Sequence, residues 1–117
     1  MRQTGILAAA GLHALDHHLT RLSDDHRRAQ RLRDGLADLP GWEVCPGDTN
    51  IVLMAVNPKV GDAESLAAPL RDAGVICYPN IRSELRLVTH LRIDDAQVEE
   101  AIRRIREVVA PRMDAAM

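Results

Sequence analysis

The chain has 117 residues, 46% hydrophobic and 27% charged, the balance of one globular domain and not of a disordered segment. A net charge of −2 supplies no basic field for phosphates or an anionic membrane. One Trp, one Tyr and no Phe leave few aromatic faces for base stacking, which argues against a nucleic-acid platform.

Residues 1–40 read as helical. Leu12, Leu15, Leu19, Leu22, Ala29, Leu32, Leu36 and Leu39 recur at spacings of three, four or seven and form one apolar stripe. Residues 6–10 are apolar all round, so they are expected to be buried on several sides. Thr20 or Ser23 is placed to cap a second helix, so two helices or one kinked helix are expected, and Pro40-Gly41 stops the pattern.

Residues 42–44 form a short strand closed by the turn Pro46-Gly47-Asp48. The continuous apolar run 51–56 predicts a strand covered on both faces. Asp62 caps a helix toward Ala73, Gly74 is its left-handed stop, and Pro69 is expected to kink it or end it early. Strands are predicted over 75–78 and 84–90. The last helix opens on a capping box, Asp94 with Gln97, flanked by Ile93 and Val98 as a hydrophobic staple. Its apolar stripe is Val98, Ala101, Ile102, Ile105 and Val109, and Pro111 follows its end. The expected fold is α+β: a small, mainly antiparallel sheet with helices on one face. It is a single domain over 1–117, with a helical entry segment 1–40, a sheet-and-helix body 41–111 and a tail 112–117. The start carries no signal-peptide pattern and no apolar run is long enough for a membrane span, so a soluble cytoplasmic protein is expected.

Few residues carry a chemical signal. His13 and His17 share a helix face at metal-ligand spacing, but two ligands are not a site, and no metal is expected. The run Asp24-Asp25-His26-Arg27-Arg28 reads as a solvated face with spaced ion pairs. Cys45 and Cys77 form no CxxC pair, have no evident base, and read as reduced structural thiols. Ser23, Ser65 and Ser83 sit in no nucleophile elbow, and there is no phosphate loop. The segment Arg86-Leu87-Val88-Thr89-His90 differs. Strand alternation puts Arg86, Val88 and His90 on one face, with Leu85, Leu87 and Thr89 on the other. An arginine in an apolar strand needs a partner for its fork, so Arg86 is either in an internal ion pair or poised for an anionic ligand.

Three segments carry a resemblance. The opening Met1-Arg2-Gln3-Thr4-Gly5-Ile6-Leu7-Ala8-Ala9-Ala10-Gly11 resembles the entry to the small C-terminal domain of threonine aldolases, where a Gly-rich turn usually precedes Met-Arg-Gln. Asp48-Thr49-Asn50-Ile51-Val52 is similar to their Thr-Asn strand, and Arg86-Leu87-Val88-Thr89-His90-Leu91 to their Arg-(apolar)-Val-Thr-His-Leu signature. The three fall in the family's order over nearly the whole chain.

The resemblance implies part of a pyridoxal-phosphate (PLP) enzyme of the aspartate-aminotransferase fold type. That family cleaves L-threonine or L-allo-threonine to glycine and acetaldehyde, with the cofactor as electron sink while the Cα–Cβ bond breaks. It implies that Arg86 clamps the substrate α-carboxylate and that Arg2 approaches the cofactor phosphate of a neighbouring subunit. Thr89 and His90 would support the Arg86 strand. Where the family commonly has an acidic residue after His-Leu, this chain has Arg92, which bears on local ion pairing and not on Arg86.

The family's Schiff-base lysine, its cofactor-stacking histidine and its pyridine-pairing aspartate lie upstream, in a large domain. The only lysine here, Lys59, is in a Pro/Gly loop. The implied protein is a fragment or separate C-terminal domain without catalytic residues of its own, whose missing large domain covers residues 6–10 and which joins a homo-oligomer. The alternative is a stand-alone regulatory or assembly module, which gives no reason for Met-Arg-Gln at the entrance.

Overall fold

A computed structural model describes residues 2–80 and 83–114. The elements run α1 (Thr4–His17), α2 (Leu22–Leu36), β1 (Trp42–Val44), β2 (Ile51–Val56), α3 (Ala63–Asp72), β3 (Tyr78–Asn80), β4 (Glu84–Val88) and α4 (Asp95–Asp114). This is the predicted order. Residues 115–117 of the expected tail lie outside the described residues.

The sheet has the order β1-β2-β4-β3 and every pairing is antiparallel. Its helix-side face carries Val52, Met54, Val56, Leu85 and Leu87, all buried. Against them pack Leu32 and Leu36 of α2, Leu66 and Leu70 of α3, and Val98, Ile102, Ile105 and Val109 of α4, forming one aliphatic core. Gly35 sets how closely α2 approaches α4, because a Cβ there would lie 2.5 Å from Ile102 Cδ1. The other face of the sheet is open. Arg86 and Val88 are exposed on β4, and Ile51, Leu53 and Ala55 of β2 are half-buried. The expectation that β2 is covered on both faces is therefore corrected: an apolar run records that a face avoids water in its working state, not which element covers it.

The long apolar stripe is divided as well. Ala29, Leu32, Leu36 and Leu39 enter the core, whereas Leu12, Leu15, Leu19 and Leu22 are exposed. Helix α1 buries none of its residues, and Ile6 is 74% exposed, against the expectation that residues 6–10 are buried. No described helix is long and apolar enough to cross a membrane.

Local chemistry explains the helix ends. Asp62 and Ser65 form a reciprocal capping box at the start of α3. Asp94 and Gln97 do the same ahead of α4, with bonds of 2.8 and 2.9 Å. Ser23 does not cap α2, because its hydroxyl donates to the Thr20 carbonyl (3.0 Å) and Arg21 occupies the cap position without a side-chain bond. Pro69 does not end α3, which continues to Asp72, and Pro111 lies inside α4. Leu70, next to Pro69, and Val109, two residues before Pro111, are buried in the core and hold those turns helical.

On the outer face of α4 the Arg103 fork, then Arg104, binds Glu100 (2.6 and 2.7 Å) and holds its carboxyl down to about 2. A carboxyl whose folded value is lowered contributes stability above its ordinary value of 4.5, lost as pH falls toward 2. Thermal melts should therefore show Glu100→Gln less stable than wild type at pH 6, with the gap closing toward pH 2. A gap that stays constant across that range would contradict the ion pair.

Candidate functional site

The open sheet face is built by strand alternation. Register places Arg86 between Leu53 of β2 and Tyr78 of β3, so the three side chains share one face. The Cys45 N–H donates to the Leu53 carbonyl (2.9 Å), which brings the end of β1 to the same row. The next row is Glu43, Ala55 and Glu84, with Asn80 Nδ2 donating to Glu84 (3.1 Å).

Arg86 makes no hydrogen bond or ion pair among the described residues. Other arginines are engaged: Arg28 on Asp95, Arg31 on Glu99, Arg104 on Glu100 and the Ala73 carbonyl, Arg106 on Asp38 and the Gly35 carbonyl. Of the two readings open for Arg86, the internal pair is absent from the described residues. A planar, permanently charged fork stands on the open sheet face between Leu53 and Tyr78, one row from Glu43 and Glu84, an arrangement suited to a carboxylate or another planar anion.

Thr89 lies one residue past β4 and is buried. Its hydroxyl donates to the Asp25 carbonyl of α2 (2.7 Å) and its N–H to the Asn50 carbonyl (3.0 Å), while its own carbonyl accepts from Asn50 Nδ2 (2.8 Å). His90 is exposed and serves a turn: Nδ1 accepts from the Arg92 N–H (3.2 Å) and its carbonyl from the Ile93 N–H (2.9 Å). Arg2 is exposed just ahead of α1, and no hydrogen bond or ion pair joins it to the Arg86 face.

Two residues of this neighbourhood have no role assigned by the sequence. Asn50 is one, present there only as part of the Thr-Asn match. The other is Arg33, 6% exposed, whose Nη2 donates to the carbonyls on either side of Asn50, Thr49 (3.0 Å) and Ile51 (2.7 Å). The available signal was position, because Arg33 falls on the buried stripe of α2 beside Ala29, Leu32 and Leu36.

The remaining candidates go elsewhere. His13 and His17 stack with ring centroids 4.2 Å apart, and His17 Nδ1 donates to the His13 carbonyl (2.9 Å). No three His, Cys, Asp or Glu side chains converge on a metal position among the described residues. Asp25 is corrected from a solvated residue to a buried one, paired with Arg21 at 3.1 Å. Cys45 is half-buried, and Cys77 is buried with its thiol pushed up by that burial, partly opposed by Arg71. Iodoacetamide at pH 8 should accordingly modify Cys45 well before Cys77, read by peptide mass spectrometry; equal rates would contradict the burial.

Lys59 is exposed in the turn after β2, at the opposite end of that strand from Ile51, with its N–H on Asn57 Oδ1 (2.9 Å). The open face thus offers an anion-binding fork and no amine, so these residues do not by themselves fit a PLP group held as a Schiff base.

In architecture the chain matches one part of the fold-type-I PLP aminotransferases. It superposes on a transaminase with L-alanine with a TM-score of 0.71 at 20% identity, covering 95% of this chain and 28% of that one. On the Toxoplasma gondii ornithine aminotransferase the TM-score is 0.69 at 20% identity, with 83% and 24% covered. The profile of the beta-eliminating lyase family matches residues 1–59, and the chain belongs to that family. It is 38% identical over 103 residues to a probable low-specificity L-threonine aldolase 2 of Arabidopsis thaliana, covering 85% of this chain and 29% of that protein. It is 36% identical over 100 residues to the low-specificity L-threonine aldolase of Escherichia coli K12, covering 86% and 28%. The chain therefore spans under a third of the length of these relatives.

Proposed function

We propose that this chain works as the small domain of a PLP-dependent threonine aldolase, where it receives the α-carboxylate of a β-hydroxy amino acid on Arg86. The observation that carries this reading is the Arg86 fork, unpaired among the described residues on an open sheet face between Leu53 and Tyr78. A carboxylate accepts two parallel N–H bonds from such a fork, which fixes both the position and the tilt of the amino acid. Flanking Leu53 and Tyr78 keep water from competing for those bonds once the face is covered. Thr89 and His90 hold the strand that carries Arg86, and Arg2 reaches toward the cofactor phosphate of a neighbouring subunit in a cytoplasmic homo-oligomer. The cofactor itself sits on the larger domain. The exposed apolar residues of α1, with Ile51 and Leu53, are the surface on which that domain rests. The identity to threonine aldolases over 85% of the chain supports this reading over a free-standing module.

The test is assembly. The chain alone should release no acetaldehyde from L-allo-threonine, and should do so once joined to the remaining part of the Escherichia coli relative. A soluble, PLP-loaded assembly that stays inactive would overturn the proposal.

A further inference from the structure

We infer that Asn50, clamped by Arg33, is a positioning residue for Arg86; the inference rests on the carboxylate reading of that arginine. Register decides which face a strand side chain occupies, and a slip of one residue would carry Arg86 from the open face into the core. The β2–β4 ladder has only five residue pairs, and β4 is backed on its other side by a strand of three residues. Such a short ladder needs an end lock.

Asn50 supplies one directly beyond the last pair, Ile51 with Val88. Its carbonyl accepts the Thr89 N–H (3.0 Å) and its Nδ2 donates back to the Thr89 carbonyl (2.8 Å). This reciprocal pair forms only when residue 50 faces residue 89. Arg33 then fixes the Asn50 backbone from the helix side through the carbonyls of Thr49 and Ile51. The space for its guanidinium depends on Gly47, where a Cβ would stand 3.0 Å from Arg33 Nη2. The Thr89 hydroxyl on the Asp25 carbonyl ties the same point to α2 (2.7 Å). Helix α2 therefore grips both chain segments at the end of the ladder, with Thr89 three residues along the chain from Arg86.

The test uses the chain assembled with a threonine aldolase large domain, and reads glycine affinity by calorimetry beside steady-state kinetics. Asn50→Ala and the near-isosteric Asn50→Asp should each raise the glycine Kd and the substrate KM roughly fivefold, with kcat within about twofold. Thr89→Val should behave alike, and Thr89→Ser, which keeps the hydroxyl bond, should stay near wild type. In an Arg86→Ala background Asn50→Ala should add nothing further, because a residue acting through Arg86 has no route left. Glycine affinity unchanged by the Asn50 variants while Arg86→Ala weakens it would overturn the inference alone, as would simple additivity of the two. Glycine affinity unchanged by Arg86→Ala would overturn the carboxylate reading and this inference with it. Amide exchange on the 117-residue chain reports whether each variant folds, and Arg33→Gln serves if the Asn50 variants do not.

Discussion

Replacing Arg86 by alanine in the assembled enzyme is expected to lower kcat/KM for L-allo-threonine about a hundredfold, the scale of roughly 3 kcal/mol for one partner lost from a desolvated charge pair. Arg86→Lys should recover only part of this. An ammonium keeps the charge but presents a point and not a fork, so the carboxylate loses its second bond and its fixed tilt. The same substitutions should leave the fold almost untouched. Arg86 is exposed and makes no ion pair or hydrogen bond among the described residues, so Arg86→Ala should change stability by no more than about 0.5 kcal/mol. Steady-state kinetics beside thermal melts separate the two effects. A kcat/KM within twofold of wild type would remove the carboxylate role, and a large fall in Tm would mean that Arg86 serves the fold instead.

The residues that announced themselves in the sequence are those whose partners are near in the chain. Asp94 and Gln97 close a box across three residues, and their bonds follow from that spacing alone. Arg86 was legible because alternation on one short strand sorts it away from Leu85 and Leu87. The errors have a common physical origin in contacts that arise elsewhere. The strand expected at 75–78 begins only at Tyr78, because the Gly74 and Val75 N–H groups are spent on the Arg71 and Leu70 carbonyls at the end of α3. Asp25 looked solvated until Arg21 and the packing of α2 on the sheet enclosed it. Asn50 and Thr89 are 39 residues apart, and no periodicity joins them before β2 and β4 pair. Residues 6–10 of α1 are expected to be buried, and in this chain nothing among the described residues covers them. Their composition suits the larger assembly better than the chain taken by itself.

Arg21→Met is expected to be among the more damaging single changes in the chain, although Arg21 lies partly at the surface. It would leave the Asp25 carboxylate, whose side chain is 3% exposed, without its 3.1 Å partner. Breaking a buried ion pair from one side costs about 3–5 kcal/mol. Two effects soften that here: the Arg21 side chain is 25% exposed, and Asp25 lies in the first turn of α2, where the helix dipole favours a negative charge by about 0.3–1 kcal/mol. A loss of about 2–3 kcal/mol remains, or a fall in Tm of roughly 10 °C or more. Asp25→Asn should cost less, since it leaves the charge on the partner that can still reach water. The pair Arg21→Met with Asp25→Leu should regain much of the loss, because a buried ion pair replaced by apolar groups of similar volume is often neutral. Melting curves at pH 7 decide the matter. A fall of under about 2 °C for Arg21→Met, or a larger one for Asp25→Asn, would show that the pair is not the anchor it is taken for. The consequence reaches the site, because the Asp25 carbonyl is the acceptor for the Thr89 hydroxyl. If the first turn of α2 frays, the end of β4 loses its hold on the helix layer. Arg21→Met should then weaken glycine binding in the assembled enzyme even at temperatures where the chain is fully folded.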